Sequence, residues 1–467
     1  MKTNKLSGRI WFNLVLFALI GQLAWNVENM YFNTFLYNKI YAGVSQAAVD
    51  GTIPVMKAIS LMVALSAATA VLTTFIMGTL SDRLQKRKLF ISVGYILWGV
   101  ITAAFGLISR DHIAALFHLS DEIKILSVTV WTVILMDCLM TFMGSTSNDS
   151  VFNAWVTDIT TPQTRPKVEA LFAALPIVAM GLVVGVGSFA QSGAIGYDVF
   201  FLALGGFVIV CGVIGLFSLQ EPEHRLKQSS ANYWSDLFYG FRPSVIKTNA
   251  RLYLALAALG FFSIAVQVFF PYLLIYMQYM VLPGVPAFDT MGISFYLCAA
   301  GCLVLLVGGI IVLLKLGAKN KSYALIPAGV CFVCGLFALS FAHDIRPLLL
   351  AIAPTIVGYA VLMIMLNASV RDFTPESKAG QFQGIRMIFY VLLPMVIGPA
   401  IGSYASMKSA EVYTDEYNVV QHVPTSEMFL YAAIVAAFVF LPLAFLIKKG
   451  FTPAESKESA PAAEENR

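Results

Sequence analysis

Apolar residues in this chain come in long unbroken runs, not in the short alternating patterns of soluble strands. Twelve segments carry no Asp, Glu, Lys or Arg, or only one: 10–38 (with Glu28), 58–81, 89–109, 125–148 (with Asp137), 170–197, 199–219, 252–288, 290–314, 322–342, 347–370, 387–407 and 428–447. A helix needs about 20 apolar residues to cross a bilayer. The pattern therefore predicts an all-α membrane protein with twelve transmembrane helices in two six-helix halves. The longest polar gap gives the organisation: a first bundle over 1–219, a linker over 220–250, a second bundle over 251–451 and a disordered tail over 452–467 rich in Ala, Pro, Ser and Glu. Tyr233-Trp234 and Phe238-Tyr239 in the linker suggest a short amphipathic piece at the membrane interface. The first apolar run is too long for a cleavable signal peptide, so it is expected to remain as the first span.

Composition agrees. Hydrophobic residues make up 58% and charged residues 12%, against about 25% charged in soluble domains. A net charge of +4 over 467 residues gives no basic surface for nucleic acid. All six cysteines lie in apolar runs, which speaks against a disulfide framework and makes Cys331-x-x-Cys334 a pair of small packing residues. Position matters more than sum. With the N-terminus inside, 24 Lys and Arg fall on the inner side and 6 on the outer. By the positive-inside rule both termini are cytoplasmic, as in a multi-pass protein of the cell membrane.

The two halves repeat. Asn153-Ala-Trp-Val-Thr-Asp158-Ile-Thr160 follows the fourth segment and Asn367-Ala-Ser-Val-Arg-Asp372-Phe-Thr374 the tenth, each with a proline and a cation beyond it (Pro162 and Arg165; Pro375 and Lys378). Leu175-Pro176 with Gly181 and Gly185 then matches Leu393-Pro394 with Gly398 and Gly402. Copies separated by six spans have the same orientation, as in carriers built from parallel repeats. Between the second and third segments, Gly78-Thr-Leu-Ser-Asp82-Arg83-Leu-Gln-Lys-Arg87-Lys88 resembles the signature of the major facilitator superfamily, departing from it at Gln85, where the family has glycine. The resemblance implies a carrier that alternates between inward-open and outward-open states, with Asp82 and Arg83 joining helix ends in the outward-open one. Within the superfamily, Thr157 to Arg165 and Gln22 to Trp25 are similar to the glycoside-pentoside-hexuronide:cation symporters and the sucrose carriers. Members like melibiose permease carry acids on helices 1, 2 and 4. Here the second segment has none, which favours protons, or no coupling, over sodium.

Ionisable groups inside a membrane are costly and mark functional sites. Asp137 lies in mid-segment, and at about 100° per residue Thr141 and Asn148 share its face. Protonation removes the burial cost of its charge, so Asp137 is the first candidate for a coupling proton and Glu28 the second. Gln22, Asn26, Asn29 and Asn33 form a polar stripe on the first segment, suited to hydrogen-bonding a polyol or to neighbouring helices. Trp25 at its margin could stack on a sugar face or simply pack. Glu28 points about 100° away, toward another helix or the outer vestibule. In the second half Ser263, Gln267 and Gln278 share a face, and Tyr272, Tyr276 and Tyr279 read as an interfacial belt. Arg386 is expected to pair with Asp372, Asp158 with Arg165 and Asp372 with Lys378, in a cytoplasmic gate. Gly181, Gly185 and Gly187, with Gly398 and Gly402, are expected where helices approach closely.

No enzyme motif, metal cluster or nucleotide-binding loop occurs, and no cofactor is expected. The reading is a secondary transporter of a small polar solute, a sugar or glycoside, coupled to protons and functional as a monomer. An efflux carrier for amphipathic compounds or lipids, and a non-transporting sensor on the same fold, are the alternatives.

Overall fold

The computed structural model describes residues 6–84, 86–160, 164–191, 193–221, 241–284, 293–342, 345–375, 379–414 and 419–450. The aromatic linker piece, the tail and Lys378 lie outside them, as do the side chains of Asp82, Arg83 and Arg165.

Twelve helices form the bundle: α1 (Gly8–Ile40), α2 (Val55–Leu84), α3 (Arg87–Phe105), α4 (Glu122–Ile159), α5 (Arg165–Gln191), α6 (Tyr197–Ser218), α7 (Ala250–Val281), α8 (Ile293–Lys319), α9 (Lys321–Leu339), α10 (Ile345–Phe373), α11 (Gly384–Lys408) and α12 (Glu427–Lys449). Among the described residues eleven of them are long and apolar enough to cross a membrane, and α5, at 27 residues, stands at the position of the fifth predicted span. The end of the bundle that carries the start of α1 and the end of α12 is called proximal here, and the opposite end distal. A two-stranded antiparallel hairpin, β1 (Val412–Thr414) and β2 (Val420–His422), joins α11 to α12 at the distal end and was not foreseen. At three residues per strand it is too short to give an alternating pattern.

Four helices contain π-helical turns: Glu28–Phe32 and Leu36–Ile40 in α1, Ser145–Phe152 in α4, Met277–Val281 in α7 and Ile388–Leu392 in α11. Such turns admit an extra residue and recur at functional sites. In α4 the π segment carries the helix past residue 148 to Ile159, so Asp149, which seemed to end the fourth span, lies within it.

Small residues set the tightest packing. A Cβ on Gly99 of α3 would fall 2.5 Å from the Gly205 carbonyl oxygen of α6, and the reverse is also 2.5 Å, so these helices touch backbone to backbone. Gly398 of α11 meets Gln267 of α7 in the same way, and Gly402 meets Tyr272; Gly187 of α5 meets Tyr31 of α1. Gly181 and Gly185 face open space, contrary to expectation, because they lie on the exposed face of α5 while Ala179, Val183 and Gly187 pack inward on the other. Phe32 of α1 stacks on Phe105 of α3 at 3.9 Å, and Phe201 of α6 meets Phe32 edge-on at 5.3 Å.

The repeat is visible in the contacts. Asn153 Nδ2 donates to the carbonyl of Asp149 and Asn367 Nδ2 to that of Met363, four residues back in each copy. Each copy's aspartate then pairs with the loop two helices earlier: Asp158 with Arg87 at 3.2 Å, and Asp372 with Lys321 at 2.5 Å. Asp372 is held by Lys321, and Arg386 donates to Asn367 Oδ1 at 3.2 Å with its guanidinium 5.9 Å from the Tyr390 ring centre; of the other expected gate partners, the Arg165 side chain and Lys378 lie outside the described residues.

The two ion pairs differ in burial. The side chains of Arg87 and Asp158 are 9% and 12% exposed, those of Lys321 and Asp372 19% and 46%. Arg87 also donates to Ser81 Oγ at 2.6 Å. Arg87→Gln should therefore destabilise the protein by about 1.5–3 kcal/mol, the range for a hydrogen bond to a charged group. Lys321→Gln should stay within about 1 kcal/mol, as exposed pairs do. Denaturant or thermal unfolding in detergent measures both, and equal losses would contradict the asymmetry.

Candidate functional site

Glu28 opens the first π segment of α1 and is 6% exposed, wedged between α2 and α4. Its Oε1 accepts from Ser66 Oγ of α2 and from Thr141 Oγ1 of α4, each at 2.8 Å, and the two hydroxyls are 2.7 Å apart. Its Oε2 has no hydrogen-bond partner among the described residues. One turn before Thr141, Asp137 is 2% exposed; its Oδ1 is likewise unpartnered, and its carboxyl lies within the electrostatic reach of Glu28. Two carboxyl groups and two hydroxyls thus meet where α1, α2 and α4 cross. The spans of the first six helices hold lysine and arginine only near their ends. A buried unneutralised carboxylate is expensive, a cost that a proton or a bound cation at this cluster would offset.

Glu28, expected to point away from the amide stripe, faces Ser66 of α2 and Thr141 of α4. The structure separates Asn148 from Asp137. The π segment that starts at Ser145 adds a residue to the turn, so Asn148 faces α1 and α3, donating to Tyr95 Oη at 2.5 Å. Tyr95 in turn donates to the carbonyl of Phe17 at 2.7 Å. Gly21 makes room for this contact, since a Cβ there would lie 2.8 Å from Tyr95 Oη.

Along α1, Asn29 Nδ2 donates to the carbonyl of Trp25 at 2.7 Å and Asn33 Nδ2 to that of Asn29 at 2.8 Å. These amides serve the carbonyls that π turns displace, and Asn33 is fully buried. Gln22, Asn26 and Asn29 are half-buried, and Asn26 Nδ2 is enclosed without a partner. Hydrogen-bonding capacity is left on the half-buried Gln22 and Asn26, and on Asn33, whose Oδ1 is also enclosed without a partner. Trp25 packs on Trp98 at 5.1 Å and against Gly144, so its ring is held within the first half.

Asp149 of α4 was missed. It accepts from Ser145 Oγ at 3.2 Å, and the Trp25 indole N–H lies beside it without forming an aligned hydrogen bond. Its signal was present: Asp149 directly follows the apolar run that ends at Asn148. The second half offers a different chemistry. Asn367, Arg386 and Tyr390 gather where α10 meets α11, with Tyr390 Oη 3.8 Å from Met363 Sδ. Gln267 is half-buried on α7, its Cβ packed against Gly398.

At the distal end the halves are laced together. Asn38 Nδ2 of α1 donates to Gln278 Oε1 of α7 at 2.8 Å, and Tyr279 Oη donates to Asn38 Oδ1 at 3.0 Å. Tyr37 donates to the carbonyl of His422 at 3.1 Å and Gln421 to that of Tyr41 at 2.7 Å, which docks the hairpin on α1. Tyr272, fully buried, shares its hydroxyl between the carbonyls of Met56 on α2 (3.2 Å) and Pro399 on α11 (2.8 Å). These tyrosines are a seal between halves, not the interfacial belt that their position suggested. Gly78 ends the apolar part of α2 beside Ser150, and the signature loop is held to α4 through Arg87 and Asp158. All six cysteines are free thiols, Cys334 exposed and Cys331 half-exposed, and no group of His, Cys, Asp and Glu able to hold a metal occurs among the described residues.

Comparison with known proteins gives the same architecture. No curated protein matches the chain by sequence. Among solved structures, a D-xylose-proton symporter is similar over 95% of this chain and 100% of its own, at 12% identity and a TM-score of 0.64. A bacterial homologue of the human lysosomal transporter Spinster, inward-facing and occupied, covers 96% and 100% at 14% identity and 0.61, and the nucleoside transporter NupG 93% and 98% at 12% and 0.59. At these identities the likeness shows the fold. The family model described as Major Facilitator Superfamily matches residues 30–399. With twelve apolar helices, a repeated loop contact in each half and a match over most of its length, this chain belongs to the Major Facilitator Superfamily, a family of membrane carriers and not of enzymes.

Proposed function

We propose that the protein is a secondary transporter that moves a small polar solute, a sugar or glycoside, by alternating access, coupled to protons. The observation that carries this reading is the Glu28–Asp137 cluster, with an unsatisfied oxygen on each carboxyl, on the same helix as the half-buried amides Gln22 and Asn26. Hydroxylated solutes exchange donors and acceptors with such amides. A cation bound behind them can bias the carrier, because a ligand shifts an equilibrium by its differential affinity for the two states. Two of the similar structures carry D-xylose with a proton and nucleosides. The Thr157 to Arg165 and Gln22 to Trp25 stretches of the sequence support a place near the glycoside-pentoside-hexuronide:cation symporters and the sucrose carriers.

Sodium is the second reading. Helix α2 brings no acid to the cluster but does bring Ser66, so the donor set is all oxygen, two carboxyls and two hydroxyls. Hard cations prefer such ligands.

The laced distal end supports an inward-facing state, with both termini cytoplasmic and the solute path open proximally. In that scheme the signature residues Asp82, Arg83 and Arg87, with Asp158, Arg165, Asp372 and Lys378, govern the proximal closure, and a monomer is the working unit.

In proteoliposomes, Asp137→Asn and Glu28→Gln should each abolish accumulation of a transported sugar driven by a proton gradient, while exchange across the membrane at equal concentrations continues. Accumulation that persists in both variants removes the cluster from coupling. Accumulation that follows a sodium gradient at constant pH replaces the proton with sodium. A second test concerns the seal. Cysteines placed at Asn38 and Gln278 should crosslink readily in solute-free protein and less when solute and an outward-facing bias are supplied. Crosslinking indifferent to both would contradict alternating access at this contact.

A further inference from the structure

On its membrane-facing side, where α2 of the first half meets α11 of the second, the structure holds a lateral groove of about 720 Å³. Lys57 and Lys408 stand at its mouth, and Leu61, Ala64, Val396 and Ala400 form its apolar walls. The order along the helices matters. Lys57 is close to the distal start of α2 and Lys408 is the last residue of α11, so both ammonium groups sit at the distal membrane surface. Ala64 lies seven residues deeper than Lys57 and Val396 twelve residues deeper than Lys408. At 1.5 Å per residue the walls run about 10 to 18 Å into the apolar layer. Both lysines are exposed, and neither has a carboxylate partner among the described residues. Tyr404, 58% exposed, lines the groove on the lipid side.

A cationic mouth over an apolar slot, with the charge at headgroup level, matches one class of molecule. We propose that this groove binds an anionic phospholipid, its phosphate at Lys57 and Lys408 and an acyl chain along the α2–α11 seam. Lysines extend to the membrane surface while their stems cover apolar surface, which allows both to reach one phosphate. Because each half supplies one wall, an occupant bridges the halves. Directly behind the groove, Tyr272 already ties the backbones of Met56 and Pro399 together. Bound lipid therefore reinforces the distally closed state and falls away when α2 and α11 separate. The site stands apart from the Glu28–Asp137 cluster, and its existence does not depend on which solute or ion the carrier uses.

The test is native mass spectrometry and thermal stability of the delipidated, purified carrier titrated with phosphatidylglycerol, with phosphatidylcholine of the same chains as control and with glycerol phosphate as a headgroup lacking chains. Phosphatidylglycerol should be retained and raise the melting temperature, with phosphatidylcholine and glycerol phosphate doing neither. Each lysine near an anionic headgroup contributes about fivefold in affinity. Lys57→Gln with Lys408→Gln should thus weaken phosphatidylglycerol binding by about thirtyfold, and Lys57→Arg with Lys408→Arg should retain it. The lipid-free melting temperature of each variant separates loss of binding from loss of fold. Equal retention of the two phospholipids, unchanged binding in the double Gln variant, or stabilisation by glycerol phosphate equal to that by phosphatidylglycerol would overturn the proposal. The last outcome would mark a small-anion site instead.

Discussion

Two carboxyl groups buried without a fixed cation constrain this protein more than any other feature. Glu28 and Asp137 lie where α1, α2 and α4 cross, and hydroxyls from Ser66 and Thr141 satisfy one oxygen of Glu28 and leave others bare. Such an arrangement costs folding energy unless a cation enters. It therefore makes the local packing of three helices depend on what the cluster holds. That dependence is what the proposed coupling requires, since α1 also carries the half-buried amides Gln22 and Asn26.

The two halves share a frame and differ in the polar groups they enclose. Repeated asparagine back-bonds and loop ion pairs hold α4 and α10 in equivalent ways. The first half then adds the carboxyls Glu28, Asp137 and Asp149, and the second adds Arg386 beside Asn367 and Tyr390. In the parallel repeat, Met363 stands where Asp149 stands in the first copy, and Ala351 where Asp137 does. The buried carboxyls thus belong to one half, and the tyrosine-rich distal contacts join it to the other.

Much of this was legible in the sequence because membrane spans are dictated by composition alone. All twelve helices, the repeat and the signature loop could be read without a structure. Side-chain partners across helices could not, and the reason is local. Angular arguments assume 100° per residue, and the functional helices break that rule at π turns. The prediction for Thr141, before the turn in α4, therefore kept it near Asp137, and that for Asn148, inside the turn, went to the wrong neighbour. Asp149 escaped notice because an acid after an apolar run looks like the end of a span. The Lys321–Asp372 pair was hidden for another reason: Lys321 has no matching letter opposite Arg87, only a matching position two helices before its aspartate. The hairpin at 412–422 was too short to show a period.

The central claim is that one cation resides at Glu28 and Asp137 and exchanges as the carrier takes up solute. The most direct measurement is the number of protons taken up or released when a transported sugar binds purified protein in weakly buffered solution, with and without sodium. The account predicts a change close to one proton per carrier in the sodium-free parent protein and none in Glu28→Gln, Asp137→Asn. A solute-linked proton change that survives loss of both carboxyls would contradict it.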